Sequence, residues 1–203
     1  MPKLLLATNN EAKVREYRSL LRGVPFDLVT LAEQGIITRV DEVGGSLDEN
    51  ARLKATLLSA ESQLLTLADD SGLEVDALGG EPGPLSARYA GEGASDKERI
   101  SYLLARLDGV PWEKRTARFR CVIAVATPDG EVEFCSGECP GFIAFESRGT
   151  HGFGYDPVFY LPELAKTMAE LTMAKKNKVS HRGEAARRAH PVLKRLADSR
   201  YAR

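Results

Sequence analysis

A chain of 203 residues, 43% hydrophobic and 28% charged, suits one soluble globular domain with a sizeable core. No apolar run approaches the roughly 18–20 residues that span a bilayer, and no repeat or low-complexity segment is visible. Net charge is −1 but uneven: residues 27–81 carry 12 acids against 3 bases, whereas residues 166–203 carry 11 bases against 3 acids. A site with a metal side and a polyphosphate side gives such a split, and so does a basic nucleic-acid-binding tail.

The N-terminus enters an apolar strand after one lysine. It lacks the long apolar region and small-residue cleavage site of a signal peptide. Cys121, Cys135 and Cys139 are odd in number, without C-x-x-C spacing or a His at zinc spacing. They are expected as reduced thiols in strands, hence a cytoplasmic protein.

Lys3–Ala7 reads as a short buried strand ending in Thr8-Asn9-Asn10. A helix follows, capped by Asn10, with Val14, Tyr17, Leu20 and Leu21 on one face. Lys13 falls in its first turn. A helix N-terminus with free N–H groups and a nearby lysine attracts phosphate, although no Walker pattern is present. Phe26–Leu31 reads as a second strand. Ser46-x-x-Glu49 is a capping box opening a long helix, with Leu47, Leu53, Ala55, Leu57 and Leu58 as its apolar face.

The hydrophobic run Leu64–Leu67 predicts a buried strand with Asp69-Asp70-Ser71-Gly72 at its carboxyl end. Ligands of open α/β sheets bind at such ends. Adjacent carboxylates repel, and a divalent cation relieves the repulsion; hard oxygens suit Mg²⁺ and a phosphate substrate. The same residues are also good turn chemistry. Asp41 and Glu42 lie just ahead of the long helix, within reach of the same cation.

Residues 79–93 predict a long structured loop rich in Gly and Pro, followed by a second capping box, Ser95-x-x-Glu98. Next come a central strand through residues 118–125 and further strands at Glu131–Cys135 and Phe142–Glu146. The glycine-punctuated run 151–157 brings its backbone and aromatics close to a ligand, with stacking on a base as one use. Thr172 caps a short helix, and Ser180-His181-Arg182-Gly183 opens the last one. Pro191 predicts a break there into two short helices.

Six stretches then stand in order: Thr8-x-Asn10-x-x-Lys13, Ala68-Asp69-Asp70-Ser71-Gly72-Leu73, Leu78-Gly79-Gly80-x-Pro82-Gly83, Ser86-Ala87-Arg88-Tyr89, Gly152-Phe153-Gly154-Tyr155-Asp156-Pro157 and Ser180-His181-Arg182-Gly183. Together they resemble the inosine triphosphate pyrophosphatase family over nearly the whole chain. The resemblance implies one domain over residues 1–203, of elongated α/β fold, with a mixed sheet flanked by helices and two lobes around a deep cleft. It implies a homodimer that needs Mg²⁺ and hydrolyses dITP, ITP and XTP to the monophosphate and pyrophosphate, with neither nucleic acid nor membrane as partner.

By the same resemblance, Thr8, Asn9, Asn10, Glu11, Ala12 and Lys13 hold the triphosphate. Asp70 is the catalytic, metal-linked acid, and Ser71 touches substrate. Phe153, Gly154, Tyr155 and Asp156 line the nucleoside pocket, while Lys176, His181 and Arg182 contact base or phosphate. The second metal ligand is Asp41, standing where the family usually has Glu, with Glu42 as the alternative. A broader nucleotide pyrophosphatase, a nucleic-acid-binding module and a silent nucleotide sensor are the competing readings.

Overall fold

The computed structural model of the chain describes residues 1–41 and 45–199. Among these the strands are β1 (Lys3–Leu6), β2 (Asp27–Thr30), β3 (Leu65–Val75), β4 (Pro82–Gly83), β5 (Thr116–Ala126), β6 (Val132–Ile143), β7 (Phe159–Leu161) and β8 (Lys166–Thr167). The helices are α1 (Glu11–Leu20), α2 (Leu47–Ser62), α3 (Asp96–Arg106), α4 (Met173–Val179) and α5 (His181–Ser199). Hydrogen-bonded strands follow the order β2-β1-β3-β5-β6-β7-β8, with β4 on β3. β1 runs parallel to β2 and β3; the β3–β4, β6–β7 and β7–β8 pairs are antiparallel. This is the expected α/β class with a mixed sheet.

The chain divides into two compact units. The first takes the described residues of Met1–Asp70, Cys121–Gly137 and the chain from Arg182 on; the second takes Ser71–Arg120 and Glu138–His181.

In the first unit, strand alternation feeds two apolar layers. Leu4, Leu6, Leu65, Leu67, Cys121, Ile123 and Val125 pack with Tyr17 of α1 and Ala185, Ala189 and Leu193 of α5. Leu5, Ala7, Ala68, Val122, Ala124 and Ala126 pack with Leu47, Ala51, Ala55 and Leu58 of α2. Helices therefore cover both faces of the strands, and the near-continuous apolar runs of β1 and β5 follow from that. In the second unit, Leu73, Val75, Phe119 and Phe159 pack with Ile100 and Leu103 of α3 and with Met168.

Several elements differ from the sequence reading. β3 does not stop before Asp69; it runs on through Val75. Buried cations replace apolar packing around the two acids, and Gly72 lets β4 approach, since a Cβ there would lie 2.4 Å from the Gly83 carbonyl oxygen. β6 is one strand where two were expected. Cys135, Gly137, Cys139, Gly141 and Ile143 alternate inward against exposed Ser136, Glu138 and Pro140, so glycines fill inward positions where a hydrophobic pattern shows a gap. α5 is one helix through Pro191. Pro191 and Arg187, the residue four earlier, both face solvent, so the proline ring and the missing N–H fall on the hydrated side of the helix. The opposite face of α5 is anchored by its buried alanines and leucines.

On α2 the buried stripe is Leu47, Asn50, Ala51, Ala55, Leu58 and Ser59; Leu57, expected inside, is 49% exposed. Ser46 caps the helix through the Glu49 N–H, while the Glu49 carboxylate accepts from Gly45 N–H, one residue before the cap. The Ser95–Glu98 box on α3 is fully formed.

Candidate functional site

Most of the charged residues singled out in the sequence fall into two clusters, one in each unit. In the first, β1 ends at Leu6 while its partner β3 continues, so Asp69 and Asp70 lie just past the Leu6–Leu67 pair. The strand end that matters is that of β1, and α1 starts there. Asn10 Oδ1 accepts from the Ala12 and Lys13 N–H groups at 2.9 and 3.2 Å, and Thr8 Oγ1 accepts from Asn10 N–H at 3.1 Å. The first turn, expected to offer free N–H groups, thus holds three of them on its own side chains. Asn9 and Glu11 face solvent.

Successive residues on a strand point to opposite faces, and the two carboxylates obey this. Asp69 faces α1 and α5. Its Oδ2 lies 3.0 Å from Lys13 Nζ and 3.3 Å from Arg182 Nε. Asp70 faces α2. Its Oδ2 accepts from Asn50 Nδ2 at 3.0 Å, and Lys54 Nζ lies 3.6 Å from its Oδ1. Lys54 also donates to the Asp69 carbonyl at 2.7 Å. Both acids are buried, at 2% and 5% exposure. Burial alone would raise the Asp69 pKa, but Lys13, then Arg182 and Lys54, outweigh it and hold the carboxyl well below the usual range.

Arg182 has left solvent altogether. Its Nη1 donates to Glu16 Oε2 at 2.7 Å, and the carboxylates on either side keep the guanidinium firmly charged despite burial. Glu16, Asn50 and Lys54 were not singled out from the sequence. The available signal was a polar residue on a core-facing helical stripe: Glu16 beside Tyr17 on α1, and Asn50 between Leu47 and Ala51 on α2.

Mg²⁺ takes hard oxygens, commonly one or two carboxylates with waters and substrate phosphates. Asp70 fits: its oxygens are hard donors, and Lys54 shows that positive charge is already held beside Oδ1. Asp41 is exposed. Glu42, the alternative ligand, lies outside the described residues, as does Gly44. Among the described residues no three His, Cys, Asp or Glu side chains converge as a ready-made metal cage.

The second unit holds the glycine-punctuated loop. Gly152 (φ +77°) has no room for a Cβ, because Asp156 Oδ2 would sit 2.0 Å from it. That carboxylate accepts from Phe153 N–H at 3.0 Å and pairs with Lys176. Lys176 Nζ also lies 4.7 Å from the Phe153 ring centroid. Tyr155 is a core residue; its hydroxyl donates to the Ser86 carbonyl at 2.9 Å, and burial pushes its pKa up. His181 stacks on Phe119, centroids 4.6 Å apart. Tyr155, Asp156, Lys176 and His181 are all at most 4% exposed, whereas Phe153 and Gly154 are half-buried. Ser71 is half-buried at the start of this unit.

A profile of the Ham1 family matches residues 4–192. The dITP/XTP pyrophosphatase of Desulforamulus reducens is 50% identical over 194 residues, covering 96% of each chain. The enzyme of the same name from Bacillus subtilis is 44% identical over 95% of this chain and 98% of its own. Among solved structures, a HAM1 protein from Coxiella burnetii superposes with a TM-score of 0.87 at 40% identity, covering 96% of this chain and all of that one. The six motifs, the relatives and the fold agree over nearly the full length, and the chain belongs to the Ham1 family.

Proposed function

We propose that the protein hydrolyses deaminated purine nucleoside triphosphates, dITP, ITP and XTP, to the monophosphate and pyrophosphate, removing them before they are built into DNA and RNA. The observation that carries this is the buried Asp69–Asp70 pair, with its cations, at the point where β1 gives way to α1. Relatives that match 95–96% of the chain are named dITP/XTP pyrophosphatases.

The two acids divide the work. Asp69 is committed to Lys13 and Arg182, and so orients them. Asp70 holds the attacking water and takes its proton. Asn50, donating to Asp70 Oδ2, fixes the carboxylate so that Oδ1 faces the reaction. Lys13 and Lys54 compensate charge on the phosphates and on departing pyrophosphate, the dominant demand in phosphoryl chemistry. Asp70, with Asp41 or Glu42, would hold Mg²⁺, which would supply neutralisation of phosphate oxygens.

In the second unit the Phe153–Gly154 backbone and the Phe153 ring face the nucleoside, while Tyr155, Asp156 and Lys176 fix that loop through Ser86, the Phe153 N–H and the Phe153 ring. Deaminated purines present a 6-keto acceptor where adenine presents an amino donor. Hydrogen-bond donors at the base edge favour the former and leave the latter unpaired, which is costly when buried; the Phe153 and Gly154 N–H groups are themselves held by Asp156 and Asp96, so they set the shape of the loop. The protein works as a cytoplasmic homodimer; three buried thiols, none in a disulfide, suit a reducing compartment.

A product assay with Mg²⁺ on dITP, XTP, dGTP and dATP tests the reading. Pyrophosphate from dITP and XTP, with little from dGTP and dATP, is expected. Orthophosphate plus a diphosphate would overturn it, because attack would then lie at the γ-phosphorus.

A further inference from the structure

The loop 152–156 is fixed by more than its own turn, and the extra fixation comes from α3. Gly154 sits at φ +61°, a left-handed conformation that suits glycine, with open space around its Cα. Its N–H donates to Asp96 Oδ2 at 2.6 Å. Asp96 is the first residue of α3, and its other oxygen is gripped by Arg99 Nη2 one turn later. Arg99 Nη1 in turn donates to the Ala87 carbonyl. Beside this chain runs a second tie, from the Tyr155 hydroxyl to the Ser86 carbonyl. Ser86 itself bridges Gly83 O and Leu73 N–H, at 2.6 and 2.8 Å. The Ser86-Ala87-Arg88-Tyr89 motif thus anchors one end of a brace whose other end is the Gly154 peptide.

We propose that Asp96 is a positioning residue for the nucleoside-side loop: braced by Arg99, it fixes the Gly154 peptide and thereby sets how tightly the base is held and which base is accepted. This rests on the assignment of loop 152–156 to the nucleoside. A carboxylate is suited to the task because it accepts from two donors at once. Asparagine at this position serves Gly154 only by turning its own NH₂ toward Arg99, donor against donor. Asp96 touches no phosphate in this role and leaves the acid pair of the first unit alone. Its loss therefore acts on base recognition and spares the chemical step.

The variants are Asp96→Ala, Asp96→Asn and Arg99→Ala. The Ser95–Glu98 capping box keeps α3 started in each of them. In Asp96→Ala, KM for dITP rises by roughly tenfold, the scale of one hydrogen bond to a charged group, while kcat changes by less than about twofold and the preference for dITP over dGTP narrows. Asp96→Asn and Arg99→Ala show the same pattern more weakly. A fall in kcat at unchanged KM, or unchanged base preference, would overturn the proposal. A second readout needs no substrate: amide hydrogen exchange at Gly154 accelerates in Asp96→Ala relative to the unaltered protein. Unchanged Gly154 protection would also overturn it, whether or not dITP is the substrate. Should the unaltered protein fail to hydrolyse dITP, the proposed function falls, and the exchange measurement still decides whether Asp96 holds the loop.

Discussion

Asp69 and Asp70 are consecutive on one strand, yet each carboxylate answers to a different lysine. Lys13 Nζ lies 3.0 Å from Asp69 Oδ2, and Lys54 Nζ lies 3.6 Å from Asp70 Oδ1. The alternation of a β-strand turns one acidic dipeptide into two separate electrostatic environments. The more enclosed of the two, around Asp69, is a buried network with Arg182 and Glu16.

Exchanging these two acids for amides therefore has opposite consequences. Asp69→Asn leaves Lys13 and Arg182 under-compensated in a buried setting, and costs about 3–5 kcal/mol of stability by urea unfolding. Asp70→Asn keeps its partner Asn50 and most of its stability, but loses turnover by roughly 10²–10⁴-fold, the usual worth of a general base. Full turnover in a folded Asp70→Asn protein would remove Asp70 from the mechanism.

Gly72 is required by contact rather than by backbone angle. A methyl group there meets the Gly83 carbonyl oxygen at 2.4 Å and its carbon at 2.9 Å, both backbone atoms that cannot rotate away. Gly72→Ala is expected to cost about 1–3 kcal/mol through overpacking and to push β4 off β3. Thermal unfolding beside the unaltered protein reads this directly.

Pro191 offers the opposite test. The lost hydrogen bond is on the solvent face, and the helix persists because its other face is buried. Pro191→Ala returns a backbone N–H to the helix and removes the ring, but gives the unfolded chain more freedom. The net expectation is a gain of about 1 kcal/mol and a rise of a few degrees in Tm. A loss of stability would show that the proline is favoured by its surroundings.

The thiols should be silent in the folded protein. Burial first, and then the negative charge of Asp69, push the Cys121 pKa up to about 12. With the pKa raised, the thiol stays protonated through neutral pH, and at about pH 8 the thiolate fraction is only about 10⁻⁴. Cys135 is shifted the same way by burial, and Cys139 is also buried. A thiol-specific reagent is expected to label none of the three quickly until guanidinium unfolds the chain. Rapid native labelling at Cys121 would contradict the packing of Tyr17 and Asp69 around it.

The elements that the sequence announces well are those governed by local rules. Asn10, Ser95 and Thr172 each cap the helix expected of them, because capping is settled within a few residues. What periodicity missed depends on partners distant in sequence. The Asp69–Asp70 stretch has turn chemistry, yet it is strand because Lys13, Lys54 and Arg182 arrive from three helices. The hydrophobic pattern divides β6 at residues 136–141, where two of the three inward residues are glycines; a Cβ at Gly141 would lie 2.5 Å from the Tyr160 carbonyl oxygen. The basic excess after residue 166 is not a uniform exposed stripe either. Lys176 and Arg182 are buried with acids, and Arg188 and Arg195 pair with Glu184 and Glu133. Asp96 stayed hidden behind its ordinary place in a capping sequence, because its link to Gly154 spans 58 residues.

The self-capped start of α1 also bears on kinetics. Thr8 and Asn10 already occupy the N–H groups of Asn10, Ala12 and Lys13; under the proposed role of this turn as the triphosphate seat, an arriving phosphate exchanges one oxygen acceptor for another. Each exchange yields little free energy by itself. In return the turn keeps a defined shape between visits, and no entropy of ordering this segment is lost when the anion arrives. Under that proposal, fast exchange of polyphosphate is the expected outcome, which suits a catalyst that must release pyrophosphate before it can turn over again.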